Sequence, residues 1–517
     1  MMRTRWILAA GLLLAGGAAD ARTVTIRSGA DFSSLDPAKT LTTDGYQIDG
    51  ALYDRLLAIT ADGKIGPGLA ESWQATADSA TFKLKPNAVC ADGTKLTPSM
   101  VAASITRMNA PDTHAPYAYR STGSAGYSAT GDDAAGTVTV KTNAPFSDLL
   151  MGMAMPWTGI ICPAGLKNAD DLLMHPQGSG PYTLDQGRSV RGDHYTLVPR
   201  KDYDWGPWGM KTSDAHLPTE IVVRIINNNT TAANELIAGN VDLGPVIGQD
   251  LPRLKADPNL TTTRSPVFGM FFMEMQHAAG HPTADATVRR AIATAINRDA
   301  ANKAATFGNG ITATSYIGPD VPCFDPKTKD MLPAPDPKAA NALLQQAGWK
   351  PGADGVLAKD GKPLELRLIG NPESQNSAPE YILQAVKAMG ASVQLRLMTI
   401  TEAATVFPTD AWDVTVVPFG PPMPSPNTVT GFVSGKGGIN YSNIDNQEFL
   451  DARSKALAAM PDSPDRCKYW GEAQQALLKN FDILPLWADV ITQFSRKGIS
   501  FKLVAPYVID FTTIRAE

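Results

Sequence analysis

The stretch from Leu52 to Met108 constrains the fold more than any other part of the chain. Leu52, Leu56 and Leu57 have helical spacing, which predicts a helix from Tyr46 to Leu57. Residues from Ala80 to Leu84 alternate between apolar and polar, as in a half-buried strand. Thr97-Pro98 then opens a second helix, with proline at a first-turn position. Helices and strands that alternate at this spacing predict an α/β fold.

The length and charge of the chain exclude some classes of protein. With 517 residues the chain exceeds what one hydrophobic core normally supports, so two or three lobes are expected. The formal net charge is -5, and no Lys/Arg-rich run is present. These features argue against a nucleic-acid partner.

The first residues have the pattern of a secretory signal peptide. Arg3 and Arg5 precede an apolar and small-residue run from Trp6 to Ala19, and Ala19-Asp20-Ala21 has the form of a cleavage site. We therefore expect residues 1–21 to be removed and the mature chain to be exported to the periplasm. The alternative is a retained anchor helix, but the run is shorter than the roughly 18 residues that a membrane span needs.

Four cysteines are present, at positions Cys90, Cys162, Cys323 and Cys467. None has the C-x-x-C spacing of zinc or thioredoxin-like sites. An even count in an oxidising compartment favours two disulfides, for which three pairings are possible. Pairing within each half of the chain, Cys90 with Cys162 and Cys323 with Cys467, is the simplest. Four buried thiols remain the alternative.

Several phrases of the sequence resemble the family 5 extracellular solute-binding proteins, the peptide, nickel and opine receptors of ABC importers. Four of them follow one another between Leu52 and Met108: LYDRLL, GKIGPGLAESW, TFKLKPNAVCADGTKLT and VAASITRM. Further along, GSGPYTL, KDYDWG and VRRAIATAINRDA are similar to phrases of the same family. Because the phrases keep their order from about Val24 to Gly498, the resemblance covers nearly the whole expected mature chain.

The resemblance implies a two-lobe periplasmic binding protein (type II, cluster C-like) with an extra subdomain in the first lobe. Lobe I would comprise residues 22–57, 176–270 and 489–517, the subdomain residues 58–175, and lobe II residues 271–488. The implied function is capture of a small-molecule or oligopeptide-like ligand between the lobes by hinge closure, and its delivery to an ABC permease in the inner membrane. A monomer with no cofactor is expected.

The remaining pattern predicts several individual elements. Residues 109–135 are rich in small residues and read as a surface loop, and Val288 to Ala300 as one amphipathic helix. Phe268 to Met275 is a continuous apolar strand that would cross between the lobes. Strands at Leu364 to Ile369 and Val393 to Leu397 flank a helix, which predicts a βαβ unit with parallel pairing.

No catalytic motif stands out in the sequence. It contains no G-x-S-x-G elbow, H-E-x-x-H pair, Walker loop or dinucleotide-binding glycine pattern. His277 and His281 lie four residues apart, but Gly280 and Pro282 predict a loop with solvated histidines rather than a metal site. The alternatives to an importer receptor are an exported hydrolase on a similar scaffold and a binding module for signalling or chaperoning.

The expected ligand site lacks the carboxylate that the family's peptide receptors use to bind a free α-amino group. The corresponding stretch here contains no Asp or Glu between Val414 and Phe432. A buried ammonium needs a counter-charge, so a simple free-amine dipeptide is not the expected ligand. Ser425, Asn427 and Thr428 offer neutral hydrogen bonds instead. A rigid proline-rich loop without a ligand role is the alternative.

Other candidate ligand contacts come from the rest of the cleft. Glu274 interrupts the apolar strand, and its carboxylate either faces the cleft or pairs with Arg289 or Arg290. Tryptophans at 157, 205, 208, 412 and 487 are candidates for the cleft walls, although most tryptophans are core residues. The complete set of predicted ligand contacts is Asp44, Tyr46, Trp157, Glu274, Trp412, Phe419, Met423, Ser425 and Asn427.

Overall fold

A computed structural model describes residues 22–32, 34–40, 42–60, 63–267, 269–409, 411–419, 423–434, 439–504 and 508–516. The predicted signal peptide, residues 1–21, lies outside these ranges. Within them, the structure contains no helix that is both long and apolar enough to cross a membrane.

The first lobe is built on a mixed seven-stranded sheet. In order across the sheet, its strands are Leu260–Arg264, Thr492–Arg496, Leu243–Val246, Thr23–Ser28, Glu220–Ile225, His194–Pro199 and Tyr182–Leu184. The central strand, Thr23–Ser28, pairs in parallel with Glu220–Ile225. Apolar side chains such as Val24 and Ile26 are fully buried, so this sheet carries the core of the lobe.

The second lobe is built on a six-stranded sheet. Its strands are Ile311–Thr312, Ile483–Ala488, Met270–Met275, Val414–Phe419, Glu365–Gly370 and Ser392–Leu397. The last two pair in parallel, with Glu365 opposite Ser392, and the Ala378–Ala388 helix connects them. This confirms the predicted βαβ unit.

The subdomain of the first lobe contains an antiparallel four-stranded sheet. Its strands are Ala70–Ala75, Ser79–Leu84, Thr137–Thr142 and Tyr127–Asp132. Three smaller sheets are also present among the described residues. Two of them have two strands each, Leu57–Ile59 with Ile65–Pro67 and Ile499–Val504 with Val508–Ala516. The third has three strands, Lys350–Pro351, Leu357–Lys359 and Lys362–Pro363.

Helices cover the sheets of both lobes. The α-helices up to residue 255 are Thr43–Leu52, Pro98–Arg107, Ala118–Thr122, Leu149–Gly152, Pro163–Lys167, Asn229–Ala238 and Leu251–Lys255. Those that follow are Ala286–Ala295, Arg298–Thr306, Pro337–Gln346, Pro372–Gln375, Ala378–Ala388, Ile400–Val406, Thr430–Val433, Gln447–Ala458 and Pro464–Lys479. The predicted start at Thr97-Pro98 is confirmed, since the Thr97 side chain accepts a hydrogen bond from the Met100 amide.

Two segments connect the sheets of the two lobes. One joins Leu260–Arg264 to Met270–Met275, and the other joins Ile483–Ala488 to Thr492–Arg496. They lie side by side, because the Ser265 amide donates to the Ile491 carbonyl at 2.9 Å. Phe268 lies outside the described residues, and the strand predicted from it begins at Met270. Adjacent crossings of this kind are where hinge motion between two lobes is expected.

Several of the phrases that carry the family resemblance meet in the first lobe. Asp54 of LYDRLL accepts hydrogen bonds from the Tyr203 hydroxyl at 2.7 Å and the Trp205 indole at 2.9 Å, both from KDYDWG. At Gly178 of GSGPYTL, a Cβ would lie 2.1 Å from the Leu52 carbonyl oxygen. Glycine is therefore required there by the close approach of two backbones.

The same contacts explain why the predicted helix from Tyr46 to Leu57 is wrong at both ends. The helix runs over Thr43–Leu52, and Leu57 begins a strand. Tyr53 is extended, and the Leu57 amide donates to the Met153 carbonyl at 3.2 Å. The buried donors around Asp54 and this backbone hydrogen bond outweigh the helical spacing of the leucines.

The prediction of a loop over residues 109–135 is also wrong. This segment contains the Ala118–Thr122 helix and the Tyr127–Asp132 strand. The Pro98–Arg107 helix covers the strand so closely that a Cβ on Gly131 would lie 2.3 Å from the Pro98 carbonyl carbon. At Gly131 close packing therefore requires a residue without a side chain, although glycine is also typical of loops.

The single helix predicted from Val288 to Ala300 is also wrong. The structure has two helices, Ala286–Ala295 and Arg298–Thr306. Asn297 separates them, because its side chain accepts hydrogen bonds from the Asp299 and Ala300 amides and so caps the second helix.

The cysteines form two disulfides. Cys90 is joined to Cys162 in the first lobe, and Cys323 to Cys467 in the second. This is the simplest of the pairings that the sequence allows.

Candidate functional site

The subdomain of the first lobe contacts the second lobe through a buried polar cluster. Asp148 accepts hydrogen bonds from the Ser425 hydroxyl and the Arg466 guanidinium, and all three side chains are largely buried. Next to it, the Ser147 hydroxyl donates to the Ala456 carbonyl at 3.0 Å. Since Ser147 and Asp148 belong to one lobe and their partners to the other, these bonds hold the lobes together.

A cavity of about 560 Å³ lies beside this contact, and we call it the interlobe cavity. The first lobe lines it with Tyr119, Arg120, Thr122, Gly123, Ser124, Ala125, Ala144, Pro145 and Phe146. The second lobe contributes Met423, Asn427, Thr428, Thr430, Arg453, Ser454, Leu457 and Ala458. Its volume falls within the range of sites for small organic ligands.

Each lobe supplies one arginine to the interlobe cavity. The Arg120 guanidinium lies 4.6 Å from the centre of the Tyr117 ring, and its Nε donates to the Tyr119 hydroxyl at 3.0 Å. The Arg453 Nε donates to the Asn427 side-chain oxygen at 3.0 Å and to the Thr430 hydroxyl at 3.1 Å. Burial lowers the pKa of Arg453, an effect that the charge of Asp148 opposes.

Behind Arg120 lies a group of three aromatic rings. Trp157 packs between Tyr46 and Tyr117, with ring centres 5.3 and 5.4 Å away. The Trp157 indole donates to the Ser121 hydroxyl at 2.6 Å, which fixes the orientation of the ring. Burial and the neighbouring Tyr117 raise the pKa of the Tyr46 hydroxyl, so it stays neutral. The group thus forms a rigid support for the Tyr117–Arg120 stack.

The structure distributes the predicted ligand contacts over several environments. Met423 and Asn427 line the interlobe cavity, and Ser425 bonds to Asp148 beside it. Asp44 lies in the first turn of the Thr43–Leu52 helix and accepts a hydrogen bond from the Gly29 amide at 3.0 Å. The side chain of Phe419 lies outside what the structure describes.

The tryptophans predicted as cleft walls are mostly core residues. Trp412 is buried in a small apolar cluster of the second lobe, and its indole donates to the Phe407 carbonyl at 3.1 Å. Trp487 stacks on Phe271, with ring centres 4.9 Å apart. Trp205 is held by Asp54, whereas Trp208 is 56% exposed on the first lobe.

Glu274 is not paired with either arginine that the sequence suggested. It is 3% exposed in the second lobe, and its Oε2 accepts a hydrogen bond from the Ser442 hydroxyl at 2.5 Å. Among the described residues, its other carboxylate oxygen has no hydrogen-bond partner. Burial raises the pKa of this carboxyl to about 7. Arg289 instead bonds to backbone carbonyls and to Asp482.

The prediction of solvated histidines is wrong, although their segment is a loop. His281 lies 2.7 Å from an Asp413 carboxylate oxygen, and His277 lies 3.3 Å from Asp482. Their side chains are only 7% and 13% exposed. Acidic side chains distant in sequence thus draw both rings into the protein. In the described part of the chain, no cluster of three or more His, Cys, Asp or Glu has the arrangement of a metal site.

The two arginines of the interlobe cavity are not among the residues predicted from the sequence. Arg120 follows Tyr117 and Tyr119 in a segment otherwise rich in small residues, and such clustering is the one local signal for it. Arg453 sits in the Gln447–Ala458 helix without any distinguishing motif. Only the tertiary fold brings the two together.

Three larger cavities in the described part of the chain are each lined by one lobe. One of about 990 Å³ lies on the first lobe around Trp208 and Arg264, and one of about 930 Å³ lies on the second lobe around Arg367 and Trp349. The third, of about 730 Å³, lies on the first lobe beside Arg107. None of the three has a wall that comes from both lobes. The interlobe cavity is therefore the candidate site.

Known proteins similar to this chain agree with this architecture. A family model described as bacterial extracellular solute-binding proteins, family 5 Middle, matches residues 64–441. The glutathione-binding protein GsiB of Salmonella typhi is 28% identical over 363 residues, which cover 68% of this chain and 67% of that protein. GsiB of Escherichia coli O1:K1 / APEC is 28% identical over 384 residues, with 73% and 72% covered.

Solved structures share the same fold. A substrate-binding protein from Microbacterium hydrocarbonoxydans, complexed with 4-hydroxybenzoate hydrazide, is 28% identical with a TM-score of 0.74, covering 96% of this chain and 100% of that one. NikA from Brucella suis, in complex with Fe(III)-EDTA, has a TM-score of 0.80 at 21% identity, with 96% and 100% covered. These relatives are binding proteins rather than enzymes. The chain belongs to the bacterial extracellular solute-binding proteins of family 5.

Proposed function

We propose that this protein is the periplasmic receptor of an ABC importer and that it captures a small solute in the interlobe cavity. The observation that carries the proposal is the composition of the cavity wall, which comes from both lobes, while two adjacent segments connect the lobe sheets. Rotation about those segments would open the cavity, and closure would enclose the solute and present a closed form to a membrane permease.

The named ligands of relatives are consistent with a small organic solute. GsiB is described as glutathione-binding, and the protein from Microbacterium hydrocarbonoxydans was crystallised with an aromatic hydrazide. Both are compact molecules with polar groups. We assign the contacts to Met423 and Asn427, together with Arg120 and Arg453.

The closure mechanism is tested by combining binding with scattering. A solute at a hundredfold excess over its Kd should stabilise the folded protein by about 2.7 kcal/mol. X-ray scattering should show a smaller radius of gyration in the same sample. A solute that binds tightly and leaves the radius of gyration unchanged would contradict hinge closure.

The import role needs a second measurement. An ABC permease and ATPase from the same organism, reconstituted in liposomes, should hydrolyse ATP faster when the solute-loaded protein is added. Without any such response, a role in signalling would replace the importer assignment.

A further inference from the structure

The charge of the interlobe cavity is one-sided. It contains the guanidinium groups of Arg120 and Arg453, and none of its described lining residues carries a carboxylate. The sequence from Val414 to Phe432, which contributes Met423, Asn427 and Thr428 to the wall, also contains no Asp or Glu. The described wall of the cavity therefore offers no carboxylate to these two groups.

The carboxylate that influences Arg453 already has other partners. Asp148 lies close enough to influence Arg453 electrostatically, but its two carboxylate oxygens accept bonds from Ser425 and Arg466. Among the described residues, neither Arg120 nor Arg453 makes an ion pair with a carboxylate. Their bonds to neutral groups use Nε, so the terminal nitrogens of both guanidinium groups remain available.

The neighbours of the two arginines fix these charges in place. Arg120 is stacked on Tyr117, which packs against Trp157, and Arg453 is held by Asn427 and Thr430. A guanidinium with a fixed orientation presents a fork of donors that matches a carboxylate. The rest of the wall includes apolar side chains, among them Phe146, Met423 and Leu457.

We propose that the solute is a small organic carboxylate with an apolar body, bound between Arg120 of the first lobe and Arg453 of the second. This assignment rests on the proposed function, since it concerns the same cavity. It also explains how binding is coupled to closure. Closing the empty protein brings two like charges into one poorly hydrated space, and an anion between them removes that repulsion and bonds to both lobes.

Matched probes test the assignment. The affinities of 3-phenylpropanoate and 3-phenylpropanamide, which differ mainly in charge, are measured by calorimetry. The carboxylate should bind at least about tenfold more tightly than the amide. Arg120→Gln and Arg453→Gln should each bring that ratio toward one. Arg453→Lys should keep part of the preference for the carboxylate. The control is Arg396→Gln, on the exposed edge strand of the second lobe, which should leave the affinity ratio unchanged.

Three results would overturn the assignment. The first is that the amide binds as tightly as the acid. The second is that neither Arg120→Gln nor Arg453→Gln changes the ratio of the two affinities. The third is that none of a panel of small carboxylates binds. Scattering on the same samples separates this from the proposed function. If only a neutral solute compacts the protein, the receptor role stands and the carboxylate assignment is rejected. If binding depends on the charge of the probe but the radius of gyration does not change, the carboxylate assignment stands and hinge closure is rejected.

Discussion

Asp148 and Arg466 form a buried ion pair that joins the first lobe to the second. The Asp148 side chain is fully buried and that of Arg466 is 12% exposed. Removing one member of a buried pair leaves an uncompensated charge, at a cost of about 3–5 kcal/mol. Here the molecule has an alternative to unfolding, because opening the lobes returns that charge to water. We therefore predict that the pair acts as a latch for the closed form.

The latch predicts that Asp148→Asn opens the protein more than it unfolds it. We expect a larger radius of gyration for the variant in the presence of solute, and weaker solute binding, with a smaller change in the free energy of unfolding than 3 kcal/mol. A double-mutant cycle with Arg466→Gln isolates the coupling. Arg188→Gln, which breaks an exposed ion pair with Asp185, serves as the control. An Asp148→Asn protein that unfolds readily but closes normally would contradict a latch.

Glu274 predicts a pH dependence of stability. Its pKa is raised by burial from 4.5 to about 7, so the folded state holds the proton more tightly than the unfolded chain. The stability that this proton contributes is complete below pH 4.5 and is lost as the pH rises through about 7. The shift corresponds to at most about 3 kcal/mol.

Glu274→Gln removes this titration. Urea unfolding at a series of pH values should show a flatter profile for the variant, which should be at least as stable as the wild type at pH values above the Glu274 pKa. Glu365→Gln, an exposed acid in the same sheet, should keep the wild-type slope. If Glu274→Gln retains that slope as well, the carboxyl is ionised in the folded protein.

The disulfides predict a large contribution to stability. They link residues separated by 72 and 144 positions, and in the chain-entropy model each closure stabilises the fold by roughly 4–5 kcal/mol. Replacing Cys90 and Cys162 together with serine should lower the urea midpoint, and replacing Cys323 and Cys467 should do the same. Replacing Cys323 and Cys467 should also weaken closure of the lobes, because Cys467 is next in the chain to Arg466. Non-reducing peptide mapping that recovers free thiols would remove the basis for both expectations.

The parts of the fold that follow from local pattern were predictable. The Thr97 cap and the parallel strands around the Ala378–Ala388 helix depend on neighbouring residues, whose chemistry is visible in sequence. Leu57 was misassigned because a backbone bond to Met153, almost a hundred residues away, decides its conformation. Residues 109–135 were misassigned because small side chains serve both loops and close packing.

The site was less predictable than the fold for the same reason. Met423 and Asn427, predicted as ligand contacts from the family resemblance, line the interlobe cavity, and their contact with a ligand stays a prediction. Arg120 and Arg453 are more than three hundred residues apart, and neither belongs to a motif. What distinguishes them is that, among the described residues, neither forms an ion pair with a carboxylate, which only the folded arrangement reveals.

The positive cavity predicts poor binding of simple dipeptides. The α-ammonium of such a ligand would lose water without meeting a counter-charge, because Asp148 is bonded to Arg466 and Glu274 is buried against Ser442. That loss of hydration costs several kcal/mol. Since about 1.4 kcal/mol corresponds to a tenfold change in Kd, the affinity should fall by roughly a hundredfold or more. Acetylation of the amine removes the charge and keeps the carboxylate. Calorimetry should therefore show that N-acetyl-alanyl-phenylalanine binds more tightly than alanyl-phenylalanine, in the wild type and in Glu274→Gln alike. If the free dipeptide binds as tightly as its acetylated form, a carboxylate of the protein must reach the ammonium of the ligand. Loss of that binding in Glu274→Gln or in Asp148→Asn would then identify the carboxylate.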